Sequence, residues 1–343
     1  TETGRNNLRS IKLSSSNKKG YEFSFAWLFA IVAGVVIIVI AIYSSNKIIG
    51  TKQYEEQSVR GKEIGILLNP LETMLEDSKY SKIIVPEETK IFNECDSVGK
   101  FGRQGISVSY KSQINKKFQD DPGATSSFKN KYLFSENVLN SYKEYHVLSK
   151  PFKFPFKISD MIIVWGDKDE YCFVNAPSEI KKELNESLKV DSVVFEFSVD
   201  KCLNKKKVCF PPVNSPECEI KVSFNNQKVY KEGKEIYYTQ LNSEGEKYGL
   251  LYAAIFSSSE IYECQIKRMF GRASELANVY LEKSKFLQPK KCGSATLLGD
   301  LQNYAEKTGK FSELGSVGFV DDGFNFNVKE LEDKNEFLIC KLF

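Results

Sequence analysis

The longest unbroken apolar stretch of the chain is FSFAWLFAIVAGVVIIVIAIY at residues 23–43, and it carries no charge. At about 1.5 Å per helical residue it spans roughly 30 Å, the thickness of a hydrocarbon core. Trp27 and Tyr43 stand toward its two ends, where amphipathic rings favour the membrane interface. The pattern predicts a single transmembrane helix over 21–43. Helical periodicity then continues through Ile64, Leu67, Leu68, Leu71, Met74 and Leu75, which predicts a helical stalk over 44–79. Pro70 interrupts that stripe. Asn69-Pro70-Leu71-Glu72 reads as a restart, with Asn69 as N-cap and Pro70 at the first helical position.

From residue 80 to 245 the pattern changes to short β-branched and aromatic runs separated by turn formers. SKIIVPEETKIF, GISVSY, EYHVLS, DMIIVW, EYCFV, SVVFEFSV, KVCF, EIKVSF and EIYYT each read as strands, with a short helix over 177–188 and a turn at Asp120-Asp121-Pro122-Gly123. Residues 248–308 read as helical. GLLYAAIF is a helix or a buried strand. Ser257-Ser258-Ser259-Glu260 opens the best-defined helix with a capping box, Pro289 ends it, and a shorter helix covers 294–307. Two strands are expected within 314–343, at 316–320 and 336–342, with an Asp321-Asp322-Gly323 turn after the first. The fold class expected is α+β: one N-terminal transmembrane helix, a helical stalk, and a β-rich ectodomain over 80–343 with a C-terminal helical section.

Flanking charge sets the expected orientation. Arg5, Arg9, Lys12, Lys18 and Lys19 precede the apolar run against only Glu2 and Glu22, whereas Lys47 and Lys52 behind it are balanced by Glu55 and Glu56. The positive-inside rule places the basic tail, residues 1–20, in the cytoplasm and the large C-terminal part outside the cell membrane. The run is too long for a usual signal-peptide core and no clean small-x-small site follows it, so an uncleaved anchor is expected. The lipid bilayer is the first partner implied.

All eight cysteines, Cys95, Cys172, Cys202, Cys209, Cys218, Cys264, Cys292 and Cys340, follow the apolar run. An even number on an oxidising side reads as up to four disulfides of open connectivity, with Cys202–Cys209 as a local candidate closing the loop LNKKKV. No pair has zinc-finger spacing, so zinc is the lesser reading. Asn185-Glu186-Ser187 is a glycosylation sequon in that compartment.

Composition adds little chemistry. The net charge of +3 over 343 residues gives no case for a nucleic-acid partner. There is one histidine, His146, and it lies on an expected strand, where a structural role outweighs a catalytic one. No HExxH, phosphate-loop, dinucleotide or GxSxG pattern occurs. Gly99-Lys100-Phe101-Gly102-Arg103-Gln104-Gly105 reads as a turn before GISVSY, Lys205-Lys206-Lys207 as a solvated loop, and Glu260, Glu263, Lys267, Arg268, Arg272 and Glu275 as one solvated helix face. No catalytic residue, cofactor or metal is expected, and the chain reads as a structural or interaction protein. A membrane-tethered ligand-binding module is the alternative, and a tethered enzyme stands behind both.

One motif is more specific. Lys18-Lys19-Gly20 ends the basic tail, Tyr21 and Glu22 follow, and the apolar helix begins. This resembles the class III signal of type IV pilins and their archaeal relatives. The resemblance implies cleavage between Gly20 and Tyr21, and a pairing of Glu22 with a neighbouring subunit's amine. It implies self-association, or association with other membrane or envelope proteins, through the transmembrane and stalk helices. Glu22 would be the second mature residue, whereas that family carries its glutamate at the fifth, and the likeness is confined to residues 18–43. With YEFSFAWLFAIV and ILLNPLET, the whole chain is similar to archaeal membrane-anchored proteins with a pilin-like start, which implies no particular activity.

Overall fold

The computed structural model describes residues 25–67, 78–111, 117–118, 122–240, 247–290, 294–320 and 328–343. The expected features at Gly20, Tyr21, Glu22, Asn69-Pro70, Asp321-Asp322-Gly323 and Cys292 lie outside them.

Helix α1 runs unbroken over Phe25–Leu67, so the expected transmembrane and stalk helices are one element. No proline falls between Phe25 and Leu67 to stop it. It is long and apolar enough to cross a membrane. The chain divides into two compact units, residues 1–52 and 53–343. In the first, the apolar side chains of the helix, among them Trp27, Phe29, Ile37 and Ile40, are exposed.

In the second unit the last turns of α1 pack onto a sheet. Gln57, Gly61 and Ile64 recur at helical spacing and are buried. A Cβ at Gly61 would stand 3.6 Å from the Ile106 carbonyl oxygen, and Gly65 lies against the Phe128 ring. The stripe at Ile64 is therefore filled by the chain's own strands. Leu68, Leu71, Met74 and Leu75, which continue the expected stripe, lie outside the described residues.

The strands form three sheets. The central one has the order β1 (Lys79–Ile84), β7 (Glu144–Lys153), β8 (Lys157–Gly166), β5 (Tyr132–Phe134). The second has the order β4 (Ser126–Phe128), β3 (Arg103–Tyr110), β2 (Thr89–Asp96), β6 (Val138–Ser141). The third has the order β10 (Val193–Glu196), β9 (Tyr171–Val174), β11 (Lys206–Cys209), β12 (Ile220–Ser223), β13 (Lys228–Lys231), β14 (Lys234–Tyr237).

Strands β7 and β8 of the central sheet are buried on both faces, whereas the edge strand β1 is partly exposed. Tyr145, Val147, Ile162 and Val164 face a core shared with Ile91, Ile106 and Ile64. Leu148, Phe152, Met161, Ile163 and Trp165 face the larger core, together with the helices and the third sheet.

Helix α2 (Ser178–Lys181) continues into a π-helical turn, Lys182–Ser187. Helices α3 (Gly249–Phe256), α4 (Ser259–Leu287), α5 (Leu298–Leu314) and α6 (Val328–Glu336) follow. GLLYAAIF is α3, and every residue of it is buried. Helix α4 is capped by the Ser258 hydroxyl, which accepts from the Ile261 N–H. Glu260 accepts from Asn137 instead of closing a capping box.

The two expected C-terminal strands are absent. Residues Gly315–Val320 form a 3-10 helix, and the chain beyond α6 is irregular. Gly315 has φ of 72°, and Glu263 accepts from both the backbone N–H and the hydroxyl of Ser316, which holds this segment as a turn against α4.

Three disulfides join described residues: Cys95–Cys264, Cys172–Cys202 and Cys209–Cys218. Cys340 is disulfide-bonded as well. The expected Cys202–Cys209 link is not made. Strand β11 lies parallel to β9 with Lys207 opposite Cys172 and Cys209 opposite Val174. Cys202 therefore returns to Cys172, and Cys209 takes Cys218 from the loop before β12. Register, and not closeness in sequence, decides the pairing.

Candidate functional site

The central sheet sets Lys82, His146 and Trp165 side by side across β1, β7 and β8. Tyr80, two residues before Lys82, shares their face. Its hydroxyl lies 2.7 Å from His146 Nδ1 and 2.7 Å from Asp191 Oδ1. Asp191 is held ionised, below the usual carboxylate range, by the hydrogen bonds of Lys82 and Tyr80, which outweigh its partial burial. A carboxylate only accepts, so Tyr80 donates to Asp191, and the proton between Tyr80 and His146 must sit on Nδ1. That tautomer leaves Nε2 unprotonated, 3.9 Å from Glu144 Oε1. Lys82 bridges Glu144 at 2.9 Å and Asp191 at 2.7 Å. The His146 ring is 5.5 Å from that of Trp165 and 6.1 Å from that of Tyr80.

Burial pushes the His146 pKa down against the opposing pull of Glu144, Asp191 and Asp167, and Lys82 acts in the same direction as burial. Desolvation likewise raises the Tyr80 phenol, helped by Asp191. His146 is thus a neutral structural group, and neither a serine nor a cysteine hydrogen-bonds to it among the described residues.

A pH dependence follows. An unfolded chain protonates His146 near pH 6.5 while the fold holds it neutral to a lower pH. Its contribution is complete above 6.5 and is lost as pH falls below that value, with a slope of at most about 1.4 kcal/mol per pH unit. Denaturant melts between pH 7.5 and 5 should show this decline, and His146→Phe should flatten it.

Helix α4 departs from the sequence reading. Its supposed solvated face includes Arg268, which is 2% exposed, beside the fully buried Gln265. Arg268 donates from Nε to the Phe101 carbonyl at 3.1 Å, from Nη1 to the Lys131 carbonyl at 2.8 Å and Gln265 Oε1 at 2.7 Å, and from Nη2 to the Lys129 carbonyl at 3.0 Å. Gln265 in turn donates to Gln104 and to the Leu133 carbonyl, and Gln104 donates to Asn93. Gly102, at φ 55°, leaves room for the Arg268 stem, since a Cβ there would lie 2.9 Å from Arg268 Cγ. The glycine-rich turn is thus shaped around a buried arginine. Burial brings the guanidinium pKa down to about 10.

Beside Arg268 opens a cleft of about 210 Å³, lined by Lys100 and Ser97 of the β2–β3 turn, Lys267, Gly271, Ser274 and Glu275 of α4, and Gly309 and Ser312 of α5. The other singled-out residues lie apart from it. Asn185 is exposed on the π-turn, where the sequon is accessible. Lys205, Lys206 and Lys207 pair with Glu170, Asp169 and Glu217, so that loop presents little uncompensated charge. Among the described residues no group of three His, Cys, Asp or Glu side chains is placed to hold a metal ion.

The signal for Arg268 was present in the sequence. It lies four residues after Cys264 and seven after the buried Ile261, on the inward stripe of α4. No protein family, curated protein or solved structure matches this chain.

Proposed function

We propose that the chain is a single-pass membrane protein that presents a disulfide-bonded domain outside the cell as a structural or interaction module. One observation carries this reading: a helix that is uncharged from residue 25 to 46 with its apolar side chains exposed there, followed by a domain whose described cysteines are all oxidised. Exposed leucine-class side chains over some 20 residues are costly in water and favourable in lipid. The basic tail supports a cytoplasmic N-terminus, and disulfides belong to an oxidising compartment.

A second reading, an assembly subunit with a pilin-like start, is favoured by the continuity of α1. A single helix supplies both the apolar stretch and, from Gln53 onward, a packed element of the domain. Ile64 is engaged within the chain, so in this reading self-association through the apolar stretch does not draw on it.

The test is made on membranes. The protein is expected to stay in the pellet after alkaline carbonate washing, and its domain to be digested by protease added to intact spheroplasts. Release by carbonate would overturn the anchor. Mass spectrometry of the mature N-terminus separates the two readings: a start at Tyr21 supports the assembly subunit, and an intact basic tail leaves the plain anchor.

A further inference from the structure

We infer that the cleft between the β2–β3 turn and the crossing of α4 with α5 binds a compact oxyanion of the phosphate, sulfate or carboxylate class. Its lining carries three cations, Lys100, Lys267 and Arg268, and one carboxylate, Glu275. Lys100 engages that carboxylate at 3.2 Å. Lys267 has no ion pair among the described residues. Arg268 hydrogen-bonds to three backbone carbonyls and an amide oxygen, all of them neutral. Three positive charges against one negative leave the lining two charges in excess.

The Asp96 carboxylate acts on Arg268 only through space, and burial still outweighs it; a buried guanidinium hydrogen-bonded to neutral acceptors alone keeps much of its desolvation cost, because they satisfy its geometry but not its charge. An anion entering from solvent would supply the missing counter-charge in a medium where charge-assisted bonds are strong. The walls supply donors from separate elements, Lys100 on the turn and Lys267 on α4, so a ligand with several oxygens can be held from two sides.

Small residues define the size. A Cβ at Gly271 would stand 3.3 Å from the Lys100 carbonyl oxygen, and one at Gly309 would stand 3.5 Å from Ser274 Oγ. The volume of about 210 Å³ falls below the roughly 300–1,000 Å³ of sites that enclose drug-sized ligands. A phosphate, a sulfate or a single acidic sugar fits that space, and a polymer does not. The cleft lies wholly in the second unit, so its chemistry does not depend on whether α1 crosses a membrane.

The experiment uses the full chain in detergent. Thermal unfolding is followed at constant ionic strength while potassium chloride is replaced stepwise by potassium phosphate, sulfate or acetate. A saturable rise in Tm is expected with at least one of the three oxyanions, since a ligand that binds only the folded state stabilises it. The ranking of the three identifies the preferred class. Lys267→Gln and Lys100→Gln are each expected to weaken the apparent affinity at least tenfold. Lys341→Gln, outside the cleft, is expected to leave it unchanged. Lys100 is 74% exposed on a turn, so its replacement tests the site even if Lys267→Gln disturbs the fold. The inference is overturned if no oxyanion raises Tm, or if the rise is the same in Lys100→Gln as in the unaltered chain.

Discussion

Trp165→Ala is expected to lower the stability of the domain by about 3–5 kcal/mol, the range for deleting a large aromatic side chain from a packed core. Trp165 is 1% exposed. Its ring stacks on Phe256 of α3 with centroids 4.3 Å apart, touches His146, and donates from Nε1 to the Ser192 hydroxyl at 3.1 Å. The substitution removes a contact between the central sheet and α3 and leaves a cavity rimmed by polar groups. Trp165→Phe keeps most of the ring volume and loses only the N–H, so its expected cost is about 1–2 kcal/mol. Denaturant melts followed by far-ultraviolet dichroism give both values. Equal costs for the two variants would mean that the hydrogen bond, and not the ring, holds this junction.

The same substitution has a second readout. A cavity beside His146 admits water, and the desolvation that holds its pKa down weakens. The decline in stability below pH 6.5 should therefore be shallower in Trp165→Ala than in the unaltered chain. A purely local packing loss would shift the whole pH curve downward without changing its slope.

How far the sequence foretells this molecule depends on length scale. The apolar run, the long helix α4 and the strands at EYHVLS, DMIIVW and SVVFEFSV were legible because each is long enough to show its period or its burial. Strands β4 and β5, three residues each, were not read, because no periodicity exists over that length. The segment at 316–320 has a strand-like composition, yet Gly315 and the Glu263 carboxylate turn it into a 3-10 helix. That outcome is set by a contact 53 residues away, which no local pattern contains.

The sites divide in the same way. The inventory of oxidisable cysteines was readable, but their partners depend on strand register, as Cys172 and Cys209 show. Arg268 was taken for a surface charge because arginine is seldom fully buried. What holds it inside is a set of carbonyls from the β2–β3 turn and the β4–β5 turn, gathered from 137 to 167 residues away. The cleft beside it is likewise built by three segments distant in sequence.

That seam between α4 and the second sheet carries the other large expected effect. Arg268→Met should cost about 3 kcal/mol or more. It strips donors from the carbonyls of Phe101, Lys129 and Lys131 and from Gln265 Oε1, and an acceptor left unsatisfied in a buried setting costs about 1–3 kcal/mol. Relief comes from removing a buried charge and from water entering by way of the cleft, so the total stays below the sum of four such terms. Arg268→Lys retains the charge but not the planar fork, reaches fewer of the carbonyls, and should cost an intermediate amount. The Cys95–Cys264 disulfide crosses the same seam one turn earlier on α4 and closes a sequence separation of 169 residues. Its removal as Cys95→Ala with Cys264→Ala should cost about 2–5 kcal/mol. Both changes loosen one interface, and an interface already released by the first loses less to the second. A double-mutant cycle should therefore give a combined cost at least about 1 kcal/mol smaller than the sum. Strict additivity would show that arginine and disulfide hold separate structures, with the Gln265–Gln104–Asn93 network transmitting nothing between them.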